Sequence, residues 1–300
     1  MAVAFMLVAT LFIAATMLLA KALGTDALGP GLPPFMVTFG RFLFAWLAIT
    51  ACLAAVRPRF TPPDLRTHAL RSAFGFTGVT LMFAAAAAIP LSDATAISFL
   101  NPVFAMMLAI PLLGERVGRW RWLAAGIALI GALVLTRPGE GTVEVGALFA
   151  LGAALAYGVE VILIKRLSGR ERPLQLLFVN NCFGLAFAAV GAAATWQTPT
   201  PAQWGAMVAL GSLMACAQFC FVNAMARADA SFVSPFVYMT LVFAGVYDAA
   251  IFGVIPNAIG SVGASLVIAG AGLLAWREGR LRQAASAPAP FQPLPPRRPD

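Results

Sequence analysis

The chain has 300 residues, of which 61% are hydrophobic and 11% are charged, and its formal net charge at pH 7 is +8. Soluble domains contain about 45–50% apolar and about 25% charged residues, so this composition excludes an ordinary water-soluble globular protein. A charge of this sign would suggest a nucleic-acid partner in a soluble protein. The positions of the basic residues, given below, explain the charge without nucleic acid.

Ten apolar stretches follow one another along the chain, each close to the roughly 20 residues that a helix needs to cross a bilayer. Their hydrophobicity is nearly continuous and has no period of two, which favours helices over the alternating strands of an outer-membrane barrel. The first stretch lacks a basic segment before it, so we expect an uncleaved helix instead of a signal peptide. The sequence predicts an all-α membrane protein with ten transmembrane helices, at residues 3–23, 34–56, 69–89, 92–113, 119–136, 143–165, 173–196, 203–225, 229–252 and 256–276.

The second five stretches weakly repeat the first five. Residues 103–105 recur as residues 242–244, and the same offset of 139 carries Gly131 onto Gly270, with identity at 8 of 35 positions. Since each unit holds an odd number of spans, the second unit must enter the bilayer from the opposite side. The sequence predicts two inverted repeats, at 1–139 and 140–278, and a disordered Pro- and Ala-rich cytoplasmic tail at 279–300.

The basic residues are distributed unevenly between the two sides of the predicted membrane. Such an imbalance places the richer side in the cytoplasm, so both termini are predicted to be cytoplasmic. This arrangement requires an even number of spans. Seventeen of the twenty Lys and Arg residues fall on the predicted inner side, namely Arg57, Arg59, Arg66, Arg71, Arg116, Arg119, Arg121, Lys165, Arg166, Arg170, Arg172, Arg227, Arg277, Arg280, Arg282, Arg297 and Arg298.

Charged residues inside the predicted spans are the first candidates for a functional site, because an Arg or Asp at the bilayer centre costs about 2.5–3.5 kcal/mol. Arg41 and Asp248 lie at similar depths in the second and ninth spans. They pair with each other in a structural ion pair, or Arg41 binds a substrate carboxylate while Asp248 binds an amine or a proton. Asp248 also lies near enough to the end of its span to reach the interface.

The sixth span carries a second candidate group. Glu160 follows Tyr157 by one helical turn, so the two side chains share a face. They line a pocket where Glu160 exchanges a proton, or Glu160 forms an interfacial pair with Lys165. Gln218 is a milder candidate, as are Asn180, Asn181 and Asn223, since each amide also suits a hydrogen bond between helices.

Prolines mark predicted breaks in the fourth and ninth spans. Pro102 and Pro235 cannot donate a backbone hydrogen bond, so each interrupts its helix. Helix breaks at related places in two repeats are typical of the binding site and gating helices of transporters. Asn101 lies beside Pro102, and Tyr238 lies three residues after Pro235, so both are candidates at these breaks.

The sequence offers no pattern for a metal or a cofactor. The four cysteines lie inside predicted spans, where they pack as small apolar residues. The only histidine, His68, falls in the loop before the third span. There is no phosphate-binding loop, no GxSxG or HExxH motif, and no GxGD partner for Tyr247-Asp248, so nothing favours an intramembrane enzyme. A non-transporting scaffold is the other alternative.

The chain resembles the EamA-type members of the drug/metabolite transporter superfamily. The run Thr38–Ala45 is similar to the arginine-bearing second helix of that family, and 90–105, 112–116 and 121–131 are similar to the end of its first repeat. In the second half, 233–238 and 263–270 fit the family pattern, whereas Leu241 stands where the first repeat has Pro102.

The resemblance implies a secondary transporter with ten helices in two inverted repeats around a central cavity. It implies alternating access and a small polar substrate, such as an amino acid, an amine or a nucleobase, moved outward across the bacterial cytoplasmic membrane. The expected substrate-binding residues are Arg41, Asn101, Tyr157, Glu160, Gln218, Tyr238 and Asp248, with gating at Pro102 and Pro235. Glu160 and Asp248 suggest proton coupling, the Glu115 loop is expected to be structural, and strings of small residues such as Gly126–Gly131 suggest a possible homodimer.

Overall fold

The computed structural model describes residues 1–24, 26–58, 60–88, 97–136, 145–252 and 258–286, and within these ranges the chain is helical and contains no strand. The helices are α1 (Ala2–Gly24), α2 (Pro34–Val56), α3 (Leu65–Ala88), α4 (Asn101–Leu113), α5 (Arg119–Thr136), α6 (Val145–Ser168), α7 (Pro173–Ala194), α8 (Pro201–Arg227), α9 (Ala230–Val233), α10 (Met239–Phe252) and α11 (Ala258–Ser286).

The prediction of an all-helical membrane protein is confirmed. Within the described ranges, six helical segments are long and apolar enough to cross a membrane: α1, α2, α6, α7, α8 and Ala230–Tyr247. Shorter apolar helices cover Asn101–Leu113 and Ser261–Arg277. Each of the ten predicted spans contains helix in the part of the chain that the structure describes.

Helix α3 begins at Leu65, earlier than the predicted start at residue 69. Asp64 caps it, because its carboxylate accepts hydrogen bonds from the Thr67 backbone N–H (3.1 Å) and hydroxyl (2.6 Å). The Thr67 hydroxyl, followed by its backbone N–H, holds the pKa of the Asp64 carboxyl below its usual value. The earlier start places His68 in the helix, which corrects its predicted position in a loop.

A buried polar cluster around Glu171 joins two connections on one face of the bundle. The Glu171 carboxylate accepts from the Asp64 backbone N–H (2.9 Å) and from the Gln175 amide (2.9 Å), and it lies 3.0 Å from His68 Nε2. The Gln175 amide in turn bonds to Thr61. The segment between α2 and α3 is therefore fixed to the connection between α6 and α7.

The most extensive helix contacts among the described residues join the first half of the chain to the second. Helix α3 packs on α6, α1 on α8, α5 on α11, and α2 on both α7 and α8, while α4 packs on α6 and α1 on α10. The halves are thus interleaved and do not form separate bodies. In the predicted repeat, α1 corresponds to α6, α3 to α8 and α5 to α11. Exchanging the two halves then turns the α1–α8 contact into the α6–α3 contact and leaves the α5–α11 contact as it is.

Pairs of residues 139 apart meet symmetrically in the α5–α11 contact. A Cβ on Gly131 would lie 2.7 Å from the Gly263 carbonyl oxygen and from the Val267 backbone nitrogen. A Cβ on Gly270 would lie 2.7 Å from the Ala124 carbonyl oxygen and 2.9 Å from the Ala128 nitrogen. Ala124 and Gly263 differ by 139 in number, as do Ala128 and Val267, so the contact looks the same from either helix. Gly at both positions allows the backbones to approach closely.

Tyr238 also pairs with the residue 139 positions before it. Its hydroxyl donates to the carbonyl of Phe99, 139 residues earlier, and the two rings meet edge to face with centroids 6.0 Å apart. Tyr238 is fully buried and packs with Ala128 and Val267. This side chain therefore sits in the core where the two halves meet.

Helical structure is interrupted near both prolines that were predicted to break it. Pro235 lies in a 3-10 segment, Ser234–Tyr238, between α9 and α10. Residues 97–98 are helical, 99–100 form a turn, and α4 then starts with Pro102 in its first turn. Proline suits that position because the first backbone N–H groups of a helix have no partner within it.

The last helix is longer than predicted. It continues to Ser286, which lies within the segment 279–300 that the sequence predicts as a disordered tail. Residues 287–300 are outside the described residues.

We expect Gly131→Ala to destabilise the protein by about 1–3 kcal/mol, because the added methyl group overlaps backbone atoms of α11 that cannot move aside alone. Gly126→Ala on the same helix is the matched control, since a Cβ there meets nothing within 4 Å. The midpoint of thermal unfolding in detergent micelles measures both. Equal midpoints for the two variants would contradict the close contact at Gly131.

Candidate functional site

A cavity of about 460 Å³ lies between α2, α3, α6, α7 and α8. It combines charged and amide side chains with aromatic and small apolar ones, as ligand sites commonly do. Its polar lining residues are Thr38, Arg41, Arg71, Ser72, Tyr157, Glu160, Asn180 and Gln218, and its apolar lining residues are Phe35, Phe42, Gly75, Phe76, Val79, Met82, Gly184, Phe187 and Ala188.

An ion pair joins α3 to α6 in the wall of this cavity. Arg71 Nε lies 3.6 Å from Glu160 Oε1, and the two side chains are only 6% and 24% exposed. A Cβ on Gly75 would lie 3.2 Å from the Glu160 carboxylate. Glycine at this position therefore leaves the space that the carboxylate fills.

A second glycine on α3 makes room for an aromatic ring. A Cβ on Gly78 would lie 2.7 Å from the Tyr157 ring. Tyr157 and Glu160 thus both face α3, as the one-turn spacing on α6 predicts. The close α3–α6 packing brings a phenol and a carboxylate to the same side of the cavity.

Arg41 reaches the cavity from α2. Its guanidinium carbon lies 4.5 Å from the centroid of the Phe42 ring, and it interacts electrostatically with Glu160. Of the described residues, none accepts a hydrogen bond from Arg41 Nε, Arg71 Nε or Arg71 Nη1, although all three atoms are buried. Buried donors without an acceptor are costly, so these groups suit a bound acceptor.

Aromatic rings form much of the remaining surface. Phe76 and Phe187 stack with centroids 5.3 Å apart at 29°. The Phe42 ring lies directly over Gly184, and a Cβ on Gly191 would lie 2.6 Å from the Phe35 ring. Glycines on α7 thus let the rings of α2 pack close to the α7 backbone.

Four of the predicted substrate-binding residues meet in this cavity: Arg41, Tyr157, Glu160 and Gln218. The Gln218 carbonyl also accepts a hydrogen bond from the Asn181 amide (3.0 Å), which links α8 to α7.

The other predicted residues are elsewhere or outside the description. Asn101 begins α4 and Tyr238 lies in the core, and neither lines the cavity. Pro102 and Pro235 lie at the helix interruptions and also do not line it. Asp248 belongs to α10, but its side chain is outside the described part of the structure.

Lys165 does not pair with Glu160. Its ammonium group donates to the carbonyl oxygens of Met225 (2.7 Å) and Ala228 (2.6 Å), at the end of α8. The interfacial pair considered from the sequence is therefore absent from the described residues, and Glu160 pairs with Arg71 instead.

Arg71 is the site residue that the sequence analysis missed, because it was counted with the basic residues of the inner loops. It is buried within α3. Two signals point to its true position. The Pro62-Pro63-Asp64 segment marks a helix start before residue 69, and the spacing of Arg71, Gly75 and Met82 puts all three on one helix face.

We expect Thr38→Cys in a variant whose four native cysteines are replaced by Ala to react with a charged methanethiosulfonate reagent added in water, because Thr38 lines the cavity and a thiol needs water contact to ionise. Ala128→Cys is the control, since Ala128 is 0% exposed in the α5–α11 contact. The labelling rate, followed by mass spectrometry, should differ by at least about tenfold. Equal rates would contradict a cavity open to water.

The comparisons with known proteins agree on one family. The model of the "EamA-like transporter family" matches residues 1–137 and 144–276. A riboflavin transporter of Rhizobium johnstonii is 32% identical over 67% of this chain and 67% of that protein. A riboflavin transporter of Vibrio cholerae is 27% identical over 79% of this chain and 81% of that protein. An S-adenosylmethionine uptake transporter of Rickettsia bellii is 26% identical over 80% and 82% of the respective chains.

A solved crystal structure has the same fold. Its TM-score to this chain is 0.78 at 21% sequence identity, and the match covers 92% of this chain and 98% of the other.

Proposed function

The chain belongs to the EamA-like transporter family, and on that premise we propose that the cavity between α2, α3, α6, α7 and α8 is its substrate site. Its relatives are named as transporters of small metabolites, so its activity is membrane transport of a small molecule and not catalysis. The observation that carries the proposal is the group of three charged side chains, Arg41, Arg71 and Glu160, facing one cavity inside an apolar helix bundle.

These charges support a substrate site because burying an ionised side chain in a bilayer costs free energy. Ionisable residues within membrane segments nearly always face a partner or a water-filled cavity. Glu160 has a partner in Arg71, whereas buried N–H groups of Arg41 and Arg71 have no acceptor among the described residues. A transported solute with an acceptor group would supply one.

The proposed topology is ten spans in two inverted repeats, with both termini in the cytoplasm of a bacterial cell and the chain in its inner membrane. The symmetric contact of Gly131 and Gly270 supports the repeat, as does the pairing of α1–α8 with α3–α6. The distribution of Lys and Arg supports the orientation. The face that carries the ends of α2, α4, α6 and α8 is then the inner face.

The family resemblance implies alternating access by relative rocking of the two repeats. Because helices of the two repeats pack on one another, we propose instead that two mixed groups of helices move. Helices α3, α4 and α6 pack on one another through the pairs α3–α6 and α4–α6, and α1, α8 and α10 do so through α1–α8 and α1–α10. The contacts between these two groups are smaller. We take the two groups as the bodies that rock. The cavity is lined by α3 and α6 of the first group and by Gln218 on α8 of the second, together with α2 and α7.

Polar contacts at the inner face join α6 to α8 and the segment after α4 to α9. Lys165 on α6 bonds to the carbonyl oxygens of Met225 and Ala228 at the end of α8. The Glu115 carboxylate, after α4, accepts from the Ala230 backbone N–H (2.8 Å) and from the backbone N–H of Ser231 (3.0 Å). These bonds favour a state closed on the inside, and they must break when the cavity opens there.

Export is the proposed direction, with coupling to protons through Glu160 and Asp248. The printed names of the relatives cover both directions, since they include an uptake transporter and a pseudopaline exporter of Pseudomonas aeruginosa. Riboflavin and S-adenosylmethionine are accordingly the first solutes to test on this chain, followed by amino acids, amines and nucleobases. Uptake into proteoliposomes that does not change with an imposed pH gradient would remove the coupling to protons.

We expect Arg41→Gln to lower transport by at least about tenfold, because it removes a cation from the proposed substrate site. Metabolites inside cells and in the medium are compared for strains that express the wild type or the variant at matched membrane levels. A compound whose amount inside the cells or in the medium changes only with the wild type is the substrate, and the compartment in which it accumulates gives the direction of transport.

Arg66→Gln is the matched control for the transport assay, since Arg66 is exposed at the start of α3 and does not line the cavity. It should transport as the wild type does. Full activity of Arg41→Gln on every transported compound would contradict the placement of the substrate.

We expect Lys165→Met to shift the protein toward an inward-open state, because it removes two hydrogen bonds from a charged donor that join α6 to α8. Spin labels on Arg166→Cys and Ala226→Cys, both exposed positions, report the distance between these helix ends in a background without the native cysteines. The distribution should gain a longer component. Arg172→Met, also exposed, should leave it unchanged, and an unchanged distribution in Lys165→Met would contradict the closing role.

A further inference from the structure

The charges in the cavity do not cancel. Among the described lining residues, Arg41 and Arg71 are cationic and only Glu160 is anionic. The remaining polar groups of the lining are hydroxyls and amides, which are neutral. With all three ionised, these described lining side chains carry a net charge of +1, and in a low-dielectric bundle an uncompensated charge is costly.

The excess charge lies on donors that point at nothing in the described protein. Glu160 Oε1 lies 3.6 Å from Arg71 Nε, which is an ion-pair distance but not a hydrogen bond, so among the described residues no group accepts from Arg71 Nε, Arg71 Nη1 or Arg41 Nε. The buried Ser72 hydroxyl also has no hydrogen-bond partner there. The Arg71 side chain is only 6% exposed. An acid group placed between the two guanidiniums satisfies the donors and cancels the charge.

The aromatic lining of the cavity indicates which kind of molecule carries the acid group. Phe76 and Phe187 stack at 29°, and the Phe42 ring and the Tyr157 ring complete the aromatic surface. Rings of this kind favour a flat, apolar solute through face or edge contacts. Cations gain from ring faces too, but the net positive charge of the cavity opposes them.

We infer that the cavity takes a planar, aromatic solute with a single acidic group, bound as a monoanion between Arg41 and Arg71 while Glu160 stays paired with Arg71. This inference rests on the proposed function and adds the substrate class. Glu160 sets the charge of the solute that fits. With the Glu160 carboxylate present, Arg41 and Arg71 have one positive charge left to neutralise on binding; without it, they have two.

The experiment uses four probes that share one ring system and differ in charge: 2-naphthylacetamide (0), 2-naphthylacetate (−1), 2-naphthylmalonate (−2) and 2-(2-naphthyl)ethylamine (+1). Binding to the purified full-length protein in lipid nanodiscs is measured by isothermal titration calorimetry at pH 7.5. The wild type should bind the acetate at least about tenfold more tightly than the amide and the amine, and more tightly than the malonate.

Two variants test the charge count. Glu160→Gln should reverse the order of the two acids, so that the malonate binds more tightly than the acetate; a merely structural role of Glu160 would weaken both. Arg41→Gln should abolish the preference for acetate over amide, and the exposed Arg66→Gln should keep it. Tryptophan fluorescence unfolding confirms that each variant is folded.

The outcomes separate this inference from the proposed function. Equal or tighter binding of the amide or the amine, no binding of the acetate, or an unchanged order of acids in Glu160→Gln would overturn the inference, and transport of neutral or cationic solutes would then still support a transporter. Arg41-dependent binding of the acetate with no transport of any solute would support the inference about the site and overturn the proposed transport through it.

Discussion

The contact between α3 and α6 is the constraint on which the cavity depends. Two glycines, Gly75 and Gly78, remove side chains from the face of α3, and the Glu160 carboxylate and the Tyr157 ring fill the space. The same approach brings Arg71 to within ion-pair distance of Glu160. A larger residue at Gly78 would overlap the Tyr157 ring, and one at Gly75 would press on the Glu160 carboxylate that pairs with Arg71. A charge in a membrane segment without its partner is costly.

The proposed repeat gives this contact a counterpart. Exchanging the two proposed repeats maps the α3–α6 contact onto the α1–α8 contact, and it maps the α5–α11 contact onto itself through Gly131 and Gly270. The charged residues do not follow the symmetry, since Arg41, Arg71 and Glu160 all come from α2, α3 and α6. A symmetric scaffold thus carries an asymmetric site, which allows the fold to keep its packing while the chemistry of the cavity changes.

The interleaving of the halves bears on the proposed motion. Since each half supplies helices to both packed groups, the linkers between halves do not form a simple hinge. The bonds of Lys165 cross between the groups, and those of Glu115 join the end of α4 to α9. The partners are backbone carbonyls, backbone N–H groups and the Ser231 hydroxyl, all at one face. Such contacts are replaceable by water, so they suit a closure that opens repeatedly, unlike the dry glycine contact of α5 and α11.

The sequence by itself determined the helical membrane class, the approximate helix positions and the family, because hydropathy, helix length and motif are local properties. It also placed Arg41, Tyr157, Glu160 and Gln218 among the candidates, since a polar side chain within an apolar helix is visible without a structure. Only the tertiary structure decided which of these side chains meet in one cavity. It also shows that Tyr238 lies in the core, that Glu160 pairs with Arg71, and that Lys165 bonds to the end of α8. Those outcomes depend on how helices that are far apart in the chain rotate and cross. A charged residue near a helix end, such as Arg71, is easily assigned to a loop from the sequence, because its position depends on which residues pack around it.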